Sequence, residues 1–369
     1  MKIYLDKTVL EAALDRIHRV FQEFPVVFVN ISGGKDSTVL MNLVLRVAEE
    51  RGRLPLNVLF IDQEAEWRHT IEYVRAALHD PRVKPFWFQG PLRISNATSG
   101  LQRWLYCWRE GDDWIRPKEP DSIHENLTGT LTFKDLFAAI ARSYYPDGPV
   151  ASLSGVRCDE SPGRLSGLTA YSTYKDITWG RRADHHKVFT FYPLYDWGWR
   201  DVWKAIHDHG WPYCRLYDFM FQHGIPIRKM RVSNVHHETA IHSLTYLQEV
   251  EPDTWDKIVE RVSGVNSVSK AWDAYAAPDE LPFMFSSWKE YRDYLVDHLV
   301  PEIELRARFR DQFRRWDELY EPAAQQDLVK MEIAAVLVND YHGVKYTTFQ
   351  ASHARLMRAH GKMKRWTSL

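Results

Sequence analysis

The chain has 369 residues, of which 45% are hydrophobic and 26% are charged. This composition is that of a folded protein, and it excludes wholesale disorder and a collagen-like repeat. The 48 Lys and Arg residues nearly balance the 49 Asp and Glu residues, which gives a formal net charge of −1. Non-specific binding of polyanions by the whole molecule is therefore not expected. The length allows two domains, because a single core seldom grows beyond about 250–300 residues.

The cysteines and the apolar runs narrow the class of protein further. Cys107, Cys158 and Cys214 are too few and too far apart for a disulfide framework, a cysteine-held zinc site or a four-thiolate iron–sulfur cluster. The longest apolar runs, such as residues 26–29, fall far short of the ~20 residues that span a bilayer. The first 17 residues have the spacing of an amphipathic helix rather than of a secretory signal. We therefore expect a cytoplasmic protein without a membrane segment.

The first part of the chain alternates between strand and helix patterns. Apolar residues at helical spacing predict a helix over 8–23, which Pro25 ends. Short runs rich in β-branched residues then predict strands that are buried on both faces, with helical patterns between them. The predicted elements are strands at 26–31, 56–62 and 83–88, and helices that follow the first two strands at about 35–47 and 67–79. This order predicts an α/β fold with a doubly wound, mostly parallel, Rossmann-like sheet.

The rest of the chain divides into an insertion, a return to the sheet and a helical region. Residues 90–132, rich in Trp, Gly, Pro and Asp, break the alternation and are interpreted as an insertion. The pattern then resumes with a helix at 133–145, strands at 150–155 and 187–194, and a helix at 199–209. Beyond about 235 only helical patterns remain, at 237–250, 254–262, 286–296, 303–319 and 325–340. We therefore predict a nucleotide-binding domain over 1–235 and a helical domain over 236–369.

A glycine-rich turn stands between the first predicted strand and the helix after it. It consists of Ser32, Gly33, Gly34, Lys35, Asp36 and Ser37. Adjacent glycines permit positive φ and a close approach to a ligand, and the free N–H groups of the following helix point back into the turn. Such a turn is an anion site that phosphate commonly occupies, although a plain strand-to-helix turn is the alternative. The spacing matches neither a Walker A loop nor G-x-G-x-x-G.

A second loop carries two arginines. Arg157 and Arg164 are seven positions apart, close to Gly155, Pro162 and Gly163. Two guanidinium groups on one loop suit the bidentate binding of phosphate or sulfate, and Glu160 is placed to orient one of them. A surface salt-bridge cluster is the alternative.

Together these motifs resemble a known family. SGGKDS at 32–37 resembles the pyrophosphate loop of the PP-loop ATP pyrophosphatase superfamily. GVRCDES at 155–161 with Arg164, and YPLYDW at 192–197 followed by DVW at 201–203, resemble elements of its phosphoadenylylsulfate (PAPS) reductase branch. The resemblance covers roughly 25–235 and implies the adenine nucleotide alpha hydrolase-like fold.

Other segments resemble one subgroup of that branch. They are FIDQEAE at 60–66, the segment with Trp104, Trp108 and Trp114, MRV at 230–232 and EPDTW at 251–255. The subgroup carries a helical C-terminal domain of unknown function, and its namesake is IbrA, a co-activator of immunoglobulin-binding protein genes. Its members are typically encoded beside a ParB-like protein, so the resemblance implies a ParB-like partner. The three tryptophans either cap a substrate or form the core of the insertion.

The resemblance also implies an activity and a set of site residues. PP-loop enzymes bind ATP, cleave it between the α and β phosphates and adenylate an acceptor. The implied catalytic residues are Lys35, Asp36, Arg157 and Arg164. The implied nucleotide-binding residues are Ser32, Gly33, Gly34, Lys35, Asp36, Ser37, Asp62, Gly155, Arg157, Glu160 and Ser161. Asp36 and Asp62 are the predicted Mg²⁺ ligands, and for Asp62 a helix N-cap is the alternative.

Two observations set the chain apart from thioredoxin-dependent PAPS reductases. Those enzymes use a cysteine near the C-terminus, whereas no cysteine follows Cys214 here, and Cys158 is the only thiol near the expected site. Reductase activity is therefore disfavoured, because the sulfonyl sulfur would meet no thiolate. The alternative to an adenylating enzyme is a regulatory co-activator that senses a nucleotide without turning it over.

The end of the chain is basic. Residues 351–369 contain Arg355, Arg358, Lys362, Lys364 and Arg365, and neither Asp nor Glu. Such a segment could contact nucleic acid or an acidic partner, and a solvated terminal helix is the alternative.

Overall fold

We describe a computed structural model of the chain. The structure describes residues 6–96, 104–160, 164–165, 173–175, 177–183, 187–232, 234–235, 244–262, 265, 278, 280–300, 302–318, 325–337, 340, 346 and 349. Contacts divide the chain into two compact units. The first comprises Met1–Ile94, Tyr106–Val235 and Tyr246–Lys257, and the second comprises Ser95–Leu105, His236–Thr245 and Ile258–Leu369.

A seven-stranded sheet organises the first unit. Its strands are β1 (Val26–Asn30), β2 (Leu56–Ile61), β3 (Val83–Phe88), β6 (Val150–Leu153), β7 (Thr173–Tyr174), β8 (Ile177–Ala183) and β9 (Val188–Phe191). They are ordered β3-β2-β1-β6-β9-β8-β7. The first five strands pair in parallel, and β8 pairs antiparallel with both of its neighbours, β9 and β7. Two further strands, β4 (Leu92–Ser95) and β5 (Trp104–Cys107), form a separate two-stranded sheet.

Helices cover both faces of the large sheet. They include α1 (Val9–Glu23), α2 (Lys35–Glu50), α3 (Arg68–Leu78), α4 (Phe133–Tyr144), α5 (Trp199–His209) and α6 (Leu216–Gln222). Val27 and Val29 of β1 belong to one buried cluster with residues of α1 and α2, whereas Phe28 contacts Phe86 and Tyr145 at the end of α4. Burial on both faces explains why β1 is an unbroken apolar run rather than an alternating one.

The first helix shows how sequence sets an element's limits. Thr8 accepts a hydrogen bond from the N–H of Glu11 at 3.2 Å, and the Glu11 carboxylate accepts one from the N–H of Thr8 at 2.9 Å. This capping box fixes the start of α1. Phe24, extended at φ −120°, and Pro25 end it.

The strand order locates the crevice where a ligand would enter. From β1 the chain builds outward through β2 and β3, then returns to place β6 on the other side of β1. The carboxyl ends of β1 and β6 therefore flank the point where the direction of winding reverses. Ligands of open α/β sheets bind at such a point. The glycine turn follows β1, and the Gly155 loop follows β6.

The described part of the chain beyond β9 is helical. Besides α5 and α6 it contains α7 (Leu244–Val250), α8 (Pro252–Arg261), α9 (Trp288–Leu299), α10 (Ile303–Asp317) and α11 (Gln325–Leu337). Most of α7 and α8 belongs to the first unit, and α9 to α11 belong to the second. Val296, Phe309 and Ile333 lie in the core of the last three helices. The buried Arg292 donates to Glu332 at 2.7 Å within this core. Among the described helices, none combines the length and apolar character needed to cross a membrane.

The predicted fold class is confirmed: the chain has a mostly parallel, Rossmann-like α/β sheet and a helical C-terminal region. The antiparallel strand β8, ITWGRRA, was not anticipated. Its glycine and two arginines weaken the β-propensity signal, and its pairing with β9 is a tertiary contact that no local pattern encodes.

Candidate functional site

The glycine turn adopts a backbone conformation that requires glycine at position 33. Gly33 has φ +72°, which is costly for a residue with a side chain. A Cβ at this position would also lie 2.6 Å from Cγ2 of Thr70 on α3. The turn is therefore closed down against α3, and its backbone forms the surface at the end of β1.

The start of α2 keeps donors available. Gly34 is the N-cap and supplies no side-chain hydrogen bond. The Lys35 N–H donates to the hydroxyl of Tyr217 at 3.0 Å, whereas the N–H groups of Asp36 and Ser37 have no acceptor among the described residues. Ser37 is held in place because its hydroxyl donates to the Gly34 carbonyl at 2.9 Å. Unpaired N–H groups at the positive end of a helix favour an anion.

Tyr217 on α6 is a residue of this site that the sequence analysis did not identify. Its ring lies 5.5 Å from Lys35 Nζ, and burial, followed by the nearby Asp36 carboxylate, raises the pKa of its hydroxyl. The hydroxyl therefore remains protonated at neutral pH. No motif marks a single tyrosine on a short helix, so only the tertiary contact reveals it.

The loop after β6 packs directly on the start of α2. A Cβ at Gly155 would lie 2.9 Å from the carbonyl carbon and oxygen of Asp36 and 3.0 Å from the N of Ser37. Only glycine lets the two backbones approach this closely. The structure thus brings Gly155 and residues 32–37, which the resemblance implies to bind nucleotide, into direct backbone packing.

Two buried cations lie at this junction, both beside Asp36. Lys35 Nζ is 3.2 Å from Asp36 Oδ2 and donates to the Met230 carbonyl at 3.2 Å. Arg157 Nε donates to Asp36 Oδ1 at 2.5 Å, and its Nη1 donates to the Trp197 carbonyl at 3.3 Å. One carboxylate thus positions two cations at the N-terminus of α2.

The remaining residues of the arginine loop lie at its outer side. Arg164 is half exposed, with its Nε 3.4 Å from Glu160 Oε2. Glu160 Oε1 is 4.0 Å from Arg157 Nη2, so Glu160 lies between the two predicted arginines. Arg231 donates to the Glu160 backbone carbonyl at 2.5 Å. Ser161, also predicted to bind nucleotide, lies outside the described residues.

A polar cluster at the ends of β1 and β6 was also missed. The Asn30 amide donates to Ser152 Oγ at 2.8 Å and to Ser154 Oγ at 2.9 Å. Asn30 Oδ1 is buried and has no donor within the described part of the chain. A buried amide oxygen without a donor is costly, so this atom is a candidate acceptor for a ligand's N–H or O–H group.

Asp62, at the end of β2, forms hydrogen bonds with side chains at the end of β3 and in the insertion and not with the glycine turn. Its carboxylate is fully buried and accepts from Trp87 Nε1 at 2.8 Å, Gln89 Nε2 at 3.0 Å and the Glu64 N–H at 2.9 Å. Arg116 of the insertion adds a fourth bond at 2.5 Å. The contacts of Asp62 thus fasten the insertion to the sheet.

Trp108 belongs to the same junction. It is fully buried, donates from its ring N–H to the Asp62 carbonyl at 2.8 Å, and packs edge-on against Trp114 at 5.7 Å. This arrangement favours the interpretation of Trp108 as core of the insertion, with the partly buried Trp114 packed against it.

The geometry gives the predicted Mg²⁺ site no support. Both Asp62 oxygens are engaged by protein donors, and both Asp36 oxygens face cations. Among the residues that the structure describes, no three His, Cys, Asp or Glu side chains are grouped to hold a metal ion. As they are arranged in this structure, Asp36 and Asp62 therefore do not fit a protein-held Mg²⁺.

The three cysteines, all of which the structure describes, form no disulfide. Cys107 and Cys214 are buried, and burial raises the pKa of Cys214 to about 11. Cys158, in the arginine loop, is partly exposed. A buried thiol with a raised pKa is a poor nucleophile, so Cys214 is unsuited to thiolate chemistry at neutral pH.

Comparison with known proteins decides the family. The family model described as "Phosphoadenosine phosphosulfate reductase domain" matches residues 26–104 and 118–223, which hold the glycine turn and the Gly155 loop. The chain belongs to this family. A second model, "Domain of unknown function (DUF3440)", matches residues 224–358. The predicted PAPS-reductase-like branch is thereby confirmed for this member of the PAPS reductase domain family.

Two curated relatives are similar to the chain. "Uncharacterized protein YbdN" of Escherichia coli strain K12 is 32% identical over 277 residues, which are 72% of this chain and 68% of that protein. "Adenosine 5'-phosphosulfate reductase" of Lysinibacillus sphaericus strain C3-41 is 25% identical over 218 residues, which are 56% of this chain and 74% of that protein.

Solved structures also align with the chain. Candida glabrata FMN adenylyltransferase in complex with FMN and the ATP analogue AMPCPP gives a TM-score of 0.39 at 13% identity, covering 64% of this chain and 66% of that chain. Phosphoadenylyl-sulfate reductase from Candida auris in a phosphate complex gives 0.34 at 16% identity, covering 59% and 94%.

Proposed function

We propose that the chain binds ATP or a related adenine nucleotide and cleaves it between the α and β phosphates, transferring the adenylate to an acceptor. The observation that carries the proposal is the junction of the glycine turn with the Gly155 loop. It combines unpaired N–H groups of α2 with the buried cations of Lys35 and Arg157. Membership of the PAPS reductase domain family supports a nucleotide as the ligand.

The junction suits the chemistry of a leaving pyrophosphate. An acceptor oxygen forms a bond to the α-phosphorus, the bond from that phosphorus to the bridging oxygen breaks, and pyrophosphate leaves with the electron pair. Lys35, Arg157 and the N-terminus of α2 would stabilise the charge that develops on the leaving group. Gly33 lets the turn close against α3, and Gly155 lets the loop after β6 pack on the backbone of Asp36, so both glycines shape the junction.

The adenosine end would lie beside the sheet, toward Asn30. Its unpartnered Oδ1 can accept one hydrogen bond from the nucleoside. Arg164 and Glu160 lie at the outer side of the arginine loop, where they could contact the acceptor or the outer phosphates. Ser32 and Ser37 complete the turn through hydrogen bonds to each other and to the backbone.

The decisive experiment is product analysis with radiolabelled ATP. The full chain is incubated with ATP and candidate acceptors, and AMP or adenylated acceptor is separated from ADP. We expect AMP and pyrophosphate, and we expect Lys35→Met to abolish them. Lys204→Met, at an exposed lysine of α5, is the matched control that should keep activity. Formation of ADP and phosphate instead would contradict cleavage between the α and β phosphates.

A second candidate is a nucleotide-sensing module without turnover, in the manner of the co-activator subgroup that the sequence resembles. The pairing of Lys35 and Arg157 with Asp36 supports it, because these cations are already neutralised in part. ATP that binds the chain but stays intact with every acceptor would favour this function.

We also propose that the chain binds a ParB-like partner, and that it contacts nucleic acid through its basic C-terminal segment or through that partner. These interactions need an experiment of their own. The basic segment 351–369 lies outside the described residues, so the contact is proposed from sequence alone. Binding to DNA is measured by gel-shift titration with the full chain. The titration is repeated with and without ATP and with and without a ParB-like protein. Binding that depends on the partner would assign nucleic-acid contact to the complex.

A further inference from the structure

A cavity of about 360 Å³ lies in the first unit, away from the glycine turn. It is lined by Glu66, Arg68, Ile71, Glu72, Arg75, Ile115, Arg116, Asp253, Thr254 and Lys257. Its volume is in the range of small-molecule sites. Neither residues 32–37 nor the described residues 155–160 and 164 line it, so it is distinct from the junction of the glycine turn with the Gly155 loop.

Helix α3 separates the two sites. Arg68, Ile71, Glu72 and Arg75 form one stripe at helical spacing, and this stripe lines the cavity. Thr70 is the α3 residue nearest to Gly33, followed by Val74. At 100° per residue both lie more than 90° around the helix from the middle of the stripe, and Thr70 lies on the opposite side. The cavity and the glycine turn therefore use different faces of α3.

One wall of the cavity is fixed by Glu251. Its buried carboxylate accepts from the N–H groups of Arg68 and His69 at 2.7 and 3.0 Å, and from His69 Nδ1 at 2.5 Å. This cap holds the start of α8, with Asp253 and Lys257, against the start of α3. The cavity is thus bounded by anchored elements.

The floor of the cavity contains Arg116, whose guanidinium has hydrogen-bond donors without an acceptor among the described residues. Arg116 gives only its Nη2 to Asp62, and its Nε and Nη1 are buried without an acceptor among the described residues. One face of the guanidinium lies 5.0 Å from the Trp108 ring. Buried N–H donors of a guanidinium that lack an acceptor favour binding of an anionic oxygen.

The other charges of the lining limit what that anion can be. Glu66 lies on the floor, and Glu72 and Asp253 lie at the exposed rim. Burial, followed by the nearby Asp62, raises the pKa of Glu66, so this group need not repel an anion. The rim also carries the cations Arg68 and Lys257, and Arg68 Nε lies 3.7 Å from Glu72 Oε1. A rim of mixed charge suits a ligand that itself carries both signs, and Asp253 is the acid best placed to attract an ammonium group. Arg75 is already engaged by Glu119 at 2.7 and 3.0 Å.

We propose that this cavity binds a small zwitterion of the amino-acid type. Its carboxylate would accept from Arg116, its ammonium group would face Asp253, and its carbon skeleton would lie against Ile71 and Ile115. The proposal does not depend on ATP turnover, because neither the residues nor the helix face are shared with the glycine turn.

The test is binding of the free amino acids to the full chain by calorimetry or ligand-observed NMR. We expect at least one to bind more tightly than about 1 mM. Its methyl ester, which lacks the carboxylate charge, and its N-acetyl form, which lacks the ammonium, should each bind at least about tenfold more weakly. Asp253→Asn should weaken binding similarly, whereas Asp256→Asn, also on α8 but outside the cavity lining, should not.

Arg116→Lys tests the floor directly, and circular dichroism checks that the variant is folded. If this variant does not fold, the comparison of amino-acid binding by Asp253→Asn and Asp256→Asn still tests the proposal. Absence of binding by all amino acids would overturn the proposal. So would tight binding of inorganic phosphate with the same dependence on Asp253 and Arg116, or displacement of the amino acid by ATP.

Discussion

At the scale of single residues, the candidate site depends on glycines where the backbone itself must be exposed. Gly33 needs both its positive φ and the absence of a Cβ, whereas Gly52 has a similar φ of +62° but open space around it. Substitution at Gly52 therefore tests the cost of the positive φ alone, whereas substitution at Gly33 adds the cost of the steric contact.

We expect Gly33→Ala to cost about 1–3 kcal/mol more in free energy of unfolding than Gly52→Ala, since only the former forces a side chain against Thr70. Gly52→Ala should cost about 1 kcal/mol through φ alone. Urea unfolding of both variants measures the difference. Equal costs would show that the contact with α3 relaxes easily and that the turn is less constrained than its geometry indicates.

A buried carboxylate is the second residue-scale feature. Asp62→Asn would leave the Arg116 guanidinium without its countercharge, and we expect a loss of about 3 kcal/mol in free energy of unfolding. Asp80→Asn, at a partly exposed pair with Arg82, is the control and should cost at most about 1 kcal/mol. Denaturant titration near neutral pH compares them. A similar small loss for both would mean that Asp62 is not a structural anchor.

At the scale of elements, one ion cluster fastens the end of α1 to the antiparallel edge of the sheet. Glu23 accepts from Arg19 at 3.0 Å, from Lys175 at 2.9 Å and from Tyr174 at 2.8 Å. Burial acts to raise the pKa of Glu23, but these hydrogen bonds outweigh it and lower the pKa to about 2.

This lowered pKa has a definite consequence for stability. Because Glu23 binds its proton less readily when folded, its contribution is complete above its ordinary pKa of 4.5 and is lost as pH falls toward about 2. We expect Glu23→Gln to be less stable than the parent chain at pH 6 and nearly equal to it near pH 2. Glu49→Gln on α2 is the control, and urea unfolding as a function of pH is the measurement. A difference that persisted unchanged at pH 2 would contradict the ionic role.

At the scale of the whole molecule, ligand binding and stability are linked. A nucleotide that binds only the folded chain raises the free energy of unfolding by about 2.7 kcal/mol at a hundred times its Kd. The site joins loops after β1 and β6, which are neighbours in the sheet but 120 or more residues apart in the sequence. The site therefore exists only when β1 and β6 are paired in the folded sheet, so a ligand of the site binds the folded chain.

We expect ATP to raise the unfolding temperature of the parent chain, and Arg157→Lys to remove most of that rise. Lysine cannot keep both contacts of Arg157, with Asp36 and with the Trp197 carbonyl. Arg200→Lys, at an exposed position on α5, should retain the full rise. Comparing each variant with and without ATP removes any effect on the unliganded fold. An undiminished rise in Arg157→Lys would place the nucleotide elsewhere.

The sequence alone determined the order and kind of most elements, because local hydrophobic period and turn chemistry encode them. The helix over 8–23 and the strands at 26–31 and 56–62 match α1, β1 and β2 to within a residue or two. It also determined the family, because the glycine turn and the Gly155 loop carry residues that few other structures require.

Only the tertiary structure decided which side chains meet. It brought Tyr217 to the Lys35 backbone, engaged Asp62 with Arg116 rather than with an open ligand site, and left Arg116 with unpaired donors in a separate cavity. These contacts join positions that are distant along the chain, and their energies depend on burial and on mutual geometry. A local pattern carries neither quantity, which is why the sequence could name the turn but not its surroundings.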